Sequence, residues 1–172
     1  AGSYLNMYNR LEPELRLEFL KKISGDFRAM EKRGEFMANC LSESQRMQVE
    51  LIMDHAEKFY ERDRVLSDEI HEKVKNLERF IVYGVGMFGK KIYDVMQAED
   101  KRKMKGFAVT DAMNNVKEYK GVAVRQIDLF QKDFPVIVGV LGKYTEEVTA
   151  ALECNGWEQI ICLESNKWFQ NV

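Results

Sequence analysis

Nothing in this sequence is long enough and apolar enough to suggest a membrane segment: no apolar run approaches the about 20 residues that a spanning helix needs. Charge of one sign is also missing. The 26 Lys and Arg residues face 28 Asp and Glu, a formal net charge of −2, which argues against a general binder of nucleic acid or of anionic membranes. Cysteine is scarce. Cys40, Cys154 and Cys162 fit neither a disulfide framework nor a zinc spacing, and read as buried thiols of a cytoplasmic protein. Histidine is scarcer still. His55 and His71 have no acidic or thiol partners at ligand spacing, so both read as polar or half-buried helix residues. No secretory leader pattern opens the chain. It begins Ala-Gly-Ser, which reads as a tag remnant or as a piece of a longer protein.

What remains is a globular composition, 45% hydrophobic and 31% charged, enough to bury a real core. Its organising stretch is RFIVYGVGMFGKKIYDVM, residues 79–96. Phe80 to Tyr83 form a short apolar run, as expected of a strand buried on both faces. Gly84-Val85-Gly86-Met87-Phe88-Gly89 follows at once, and Ile92, Val95 and Met96 then mark one face of a helix. In such a turn the first glycine permits a tight reversal. The second lets backbone approach a phosphate, and the third lets helix pack on strand. The helix N-terminus offers free N–H groups and partial positive charge to an anion. A second strand, expected at 106–110, ends at Asp111, 22 residues after Gly89 (111 − 89). The acidic residue that holds a ribose is expected at a spacing of about 20.

Before this stretch the pattern is helical. An amphipathic helix is expected from Glu12 to about Lys32, with Pro13 in its first turn and Leu15, Phe19, Ile23, Phe27 and Met30 as its stripe. Gly25 is a candidate kink. A second helix begins at Ser42 with Gln45 completing a capping box, and a third, shorter one at Ser67 presents Ile70, Val74 and Leu77. Beyond Asp111 come a loop through Tyr119-Lys120-Gly121, a strand at 122–124 and a short turn. A central strand follows at 134–141, then a helix at 146–155 stopped by Gly156, and a last strand at 159–163. The expectation is an α/β protein with a Rossmann-like parallel sheet of about five strands, ordered 3-2-1-4-5. A helical region, 1–76, precedes it, and residues 77–172 form the nucleotide-binding domain. Ligands of open α/β sheets bind where the strand order reverses. The expected pocket walls are therefore Gly84, Gly86, Met87, Phe88 and Gly89 on one side and Val140, Gly142 and Lys143 on the other. Lys90 and Lys91, in the first helical turn, read as surface lysines that can favour diphosphate.

YGVGMFGKKIYDVM, KGFAVTD, YKGVAV, FPVIVGVLGKYTEEV and GWEQIICL together resemble a small Rossmann-like domain of bacterial surface-polysaccharide enzymes. It occurs C-terminal to family 2 glycosyltransferases and sugar methyltransferases. The segment is similar to the N-terminal nucleotide-sugar-binding half of the bacillosamine-pathway acetyltransferases, and more loosely to NAD-dependent epimerase/dehydratase folds. The helical part faintly resembles the helical tail of family 2 glycosyltransferases. The resemblance implies binding of a nucleotide-sugar or NAD(P) at Gly84, Gly86, Met87, Phe88, Gly89 and Asp111, in an accessory region of a larger enzyme or in a homo-oligomer. Catalysis by this segment alone is not expected. No tyrosine has a lysine four residues on, no histidine follows the glycine turn to serve as a base, and no DxD pair sits in a transferase setting. Two alternatives stand beside this reading, an NAD(P)-dependent oxidoreductase fragment and a structural or oligomerising module.

Overall fold

In a computed structural model that describes residues 7, 11, 13–32 and 60–169, the chain divides into two compact units, Ala1–Arg64 and Val65–Val172. In the first unit, helix α1 spans Pro13–Lys32 and is helical through Gly25. Among its described side chains, Arg16, Leu20 and Ile23 are buried, whereas Leu15 is half exposed. The buried set thus keeps Ile23 of the expected stripe and adds Leu20 and a cation, Arg16, whose Nε donates to the Leu11 carbonyl at 3.1 Å. The expected helix from Ser42 lies outside the described residues, apart from its last residue, Tyr60.

A helix, α2, covers 60–74. No new helix starts at Ser67, which is buried in its interior. The rest of the second unit is built on β1 (Phe80–Tyr83), α3 (Met87–Val95), α4 (Ala98–Lys103) and β2 (Met104–Val109). After these come β3 (Glu118–Tyr119), β4 (Val122–Gln126), β5 (Val136–Val138), α5 (Thr145–Cys154) and β6 (Ile160–Ile161). Turns of 3₁₀ helix occupy Ile127–Leu129, Gly142–Tyr144 and Glu164–Phe169.

The sheet has six strands, not five, in the order β3-β4-β2-β1-β5-β6. Five of them are parallel, and β3 is an antiparallel edge paired with β4. The extra strand was expected as loop, because two residues carry no periodicity. Strands β5 and β6 are each shorter than the apolar runs that mark them. Each face of the sheet is covered. On one, Phe80, Val82, Phe107 and Ile137 pack with Leu66, Ile70 and Val74 of α2 and with Phe88, Ile92 and Val95 of α3. On the other, Ile81, Ala108, Val136 and Val138 pack with Leu152 of α5 and with Trp157. Alternate residues of β1 thus serve opposite cores, as a central parallel strand requires.

Local chemistry closes the elements. Helix α5 ends in a Schellman motif: Gly156, at φ +80, donates to the Glu153 carbonyl (2.9 Å), and Trp157 donates to that of Leu152 (3.1 Å). Lys120 (φ 49) and Gly121 (φ 79) make the two-residue turn between β3 and β4, where positive φ at both positions matches the strand twist. The Glu69 carboxylate of α2 accepts from the backbone N–H of Glu164 (2.5 Å) and Ser165 (3.0 Å), anchoring the final turn.

Candidate functional site

The order of the sheet reverses at β1, which lies between β2 and β5. The glycine turn leaves the C-terminal end of that strand. Gly84 sits at φ +100, a conformation that disfavours a side chain, and a Cβ there would also lie 2.9 Å from the Gly139 carbonyl oxygen. Gly89, in the first turn of α3, is tighter still: a Cβ would meet the Gly84 carbonyl oxygen at 2.0 Å. Gly139, just past β5, would place one 2.8 Å from Val82 Cγ1 and 2.9 Å from the Tyr83 carbonyl oxygen. These three glycines bring β1, α3 and β5 into direct backbone contact. The fold itself requires them.

Gly86 is different. Its backbone is extended (φ −70, ψ −167), open to any residue, and a Cβ would meet nothing within 4 Å. It is the N-cap of α3, yet the helix has no side-chain cap and no acidic residue in its first turn. The first intrahelical bond is Lys90 N–H to the Gly86 carbonyl (3.0 Å). The amides of Met87, Phe88 and Gly89 therefore precede the regular helical ladder, and the first turn itself carries no carboxylate to offset the helix dipole.

The other expected site residues fall as follows. Met87 is 57% exposed beside Gly86, whereas the Phe88 side chain is buried in the core and has only its backbone to offer. Asp111 is exposed beyond the end of β2, but its carboxylate works within its own loop. It accepts from Met113 N–H (2.9 Å) and Asn114 Nδ2 (2.5 Å), and these bonds, the Asn114 one foremost, hold its pKa below the usual carboxylate range. Val140 is half-buried, with its carbonyl accepting from Asn166 Nδ2 at 2.7 Å. Gly142 and Lys143 lie in the 3₁₀ turn after β5, and the Lys143 side chain lies outside what is described. Lys90 leans over the Tyr119 ring (5.4 Å to the centroid), towards the β3–β4 hairpin.

Three features escaped the sequence reading. Tyr83 Oη and Thr110 Oγ1 lie 2.5 Å apart, joining the ends of β1 and β2 beside the turn. Gly139 completes the backbone packing, and a glycine inside the apolar run FPVIVGVL is the signal that marks it. Asn166 is buried and donates to both Val140 and Thr145 Oγ1 (2.9 Å), while its Oδ1 has no partner among the described residues.

Two expectations are corrected outright. Cys154 and Cys162 are exposed free thiols, not buried ones, because one ends α5 and the other follows the edge strand β6. Cys40 lies outside the described residues, as does His55. His71 does have acidic partners, Glu99 and Asp100, brought to it from α4.

Fold and site together define an α/β protein with a mostly parallel sheet and a glycine turn at its strand-order reversal. No protein-family model, curated protein or solved structure matches the chain. Among the described residues, no helix is long and apolar enough to cross a membrane.

Proposed function

We propose that the second unit is a Rossmann-like nucleotide- or nucleotide-sugar-binding module, an accessory part of a glycosyltransferase-type protein of bacterial surface-polysaccharide synthesis. It works in the cytoplasm and is not itself catalytic. Gly86 carries this reading. Its neighbours in the motif are glycines for steric reasons, whereas nothing in the fold forbids a side chain at 86, and the open space there adjoins the N-terminal amides of α3, whose N-cap residue contributes no side-chain bond. A diphosphate is the ligand those amides suit. Asp111, past the end of the adjacent strand, then accepts from ribose hydroxyls through lone pairs its own loop leaves over. Its charge favours NAD over NADP if the ligand is a dinucleotide.

A structural role is the rival, and the mutual packing of Gly84, Gly89 and Gly139 favours it, since those residues need no ligand to explain them. A thermal-shift panel of UDP, UDP-sugars, NAD and NADP on the wild-type chain and Gly86→Asp decides between them. A ligand that prefers the native state raises the melting temperature. Asp is a good N-cap, so this variant is expected to keep or gain a few tenths of a kcal/mol of stability. Its carboxylate occupies the amides and repels diphosphate, so the ligand-induced shift disappears. A UDP-sugar response without one to NAD identifies the sugar-nucleotide module, and an NAD response with cofactor reduction identifies an oxidoreductase fragment. No response from any ligand leaves the structural role.

A further inference from the structure

At the edge of the unit away from the glycine turn, α2 and α4 bring together groups separated by some thirty positions in sequence. His71 Nδ1 lies 3.1 Å from Asp100 Oδ2 and 3.3 Å from Glu99 Oε1. One ligand atom from each of the three residues falls within 4.8 Å of the others. The 3.1 Å contact is within hydrogen-bonding reach, and a tetrahedral ion with bonds of 2.0–2.1 Å holds neighbouring ligand atoms about 3.3–3.4 Å apart, so the three groups need little adjustment to take one up. One nitrogen and two carboxylate oxygens form a donor set suited to zinc and its first-row neighbours.

The second observation concerns Asp100 itself. Its side chain is fully buried, and Oδ1 has no hydrogen-bond partner among the described residues. Lys103 Nζ lies 3.7 Å from Oδ1, beyond hydrogen-bonding reach. That ammonium is already engaged, donating to the carbonyls of Lys75 (2.9 Å) and Val74 (3.3 Å) at the end of α2. A buried carboxylate demands more compensation than one ammonium at that distance and a single imidazole contact provide.

We propose that His71, Glu99 and Asp100 bind a divalent first-row transition ion of the zinc class, with water completing its coordination. His71 contributes Nδ1 and Asp100 its carboxylate, whose Oδ1 otherwise lacks a hydrogen-bond partner among the described residues. Glu99, whose side chain is 52% exposed, closes the solvent side. The ion fastens α2 to α4, and so fixes the helices that lead into β1 and β2. This inference is independent of the nucleotide reading.

The test uses the whole chain, stripped with chelator and titrated with Zn²⁺ against a chromophoric competitor, and with Co²⁺ for its visible spectrum. The expected result is one ion per chain, a higher melting temperature with zinc, and a Co²⁺ spectrum without thiolate charge transfer. His71→Ala and Glu99→Gln each weaken binding by about tenfold or more, while the double variant Cys154→Ser/Cys162→Ser leaves it unchanged. The half-exposed position of Glu99 makes its variant safe for folding. Wild-type affinity in either ligand variant, no zinc binding by the wild type, or loss of binding in the cysteine double variant overturns the assignment.

Discussion

At the scale of single residues, three glycines close in sequence and of one type have different physical reasons to be there. Gly89→Ala drives a methyl into a backbone carbonyl that the sheet holds fixed, and is expected to cost about 3 kcal/mol. Gly86→Ala meets open space in an ordinary conformation and is expected to change stability by less than about 0.5 kcal/mol. Urea denaturation of both variants checks the contrast. Equal losses would contradict the packing described for Gly89. Asp111 makes a pH prediction of similar kind. Its pKa is held down by bonds to Asn114 and Met113, so the ordering it gives residues 112–115 is complete above the ordinary carboxylate range. That ordering fades as pH falls through the lowered value. Backbone chemical shifts of Met113 and Asn114 followed by NMR should titrate at that lower pH, and in Asp111→Ala the titration should vanish.

At the scale of elements, the β3–β4 hairpin depends on one buried carboxylate. Asp94 of α3 accepts from Tyr119 Oη (2.9 Å) and Lys120 Nζ (2.5 Å). Desolvation foremost, and then the Asp94 charge, push the Tyr119 hydroxyl well above its ordinary pKa, so it stays a donor throughout the ordinary pH range. Tyr119→Phe keeps the edge-on packing with Tyr93 and Phe107 but removes that donor, and is expected to cost about 1.5–3 kcal/mol. Chemical denaturation measures it, and a loss below 0.5 kcal/mol would show the hairpin to be held by Lys120 and ring packing alone. These elements also mark where the sequence is legible. Strand β1, the glycine turn and α3 are readable because their signals are local: an apolar run, glycines at fixed offsets, then a helical period. Strand β3 has two residues, and α4, AEDKRK, has no apolar period at all. Ser67 followed by Asp68 and Glu69 imitates a helix start inside a continuous helix, because Ser67 and Glu69 are used for burial and for holding the final turn. The encounter of His71 with Asp100 is set by how α2 and α4 pack, which no local spacing records.

For the molecule as a whole, the second unit is defined by what reaches its core. Leu66, Ile70 and Val74 are completely buried against the sheet, so the end of α2 belongs to the α/β unit although it precedes the first strand. Ile70→Ala is expected to lower stability by about 2–5 kcal/mol. Leu15→Ala, at a half-exposed position of α1, should stay within about 0.5 kcal/mol. Calorimetry on both variants distinguishes them.

The central claim is that the amides opening α3 receive a diphosphate. Backbone amide shifts recorded while UDP is titrated into the protein address it most directly. The account predicts saturable shifts largest at Gly86, Met87, Phe88 and Gly89, abolished in Gly86→Asp. Saturable shifts centred elsewhere, or none at that turn with UDP or NAD at millimolar concentration, would contradict it.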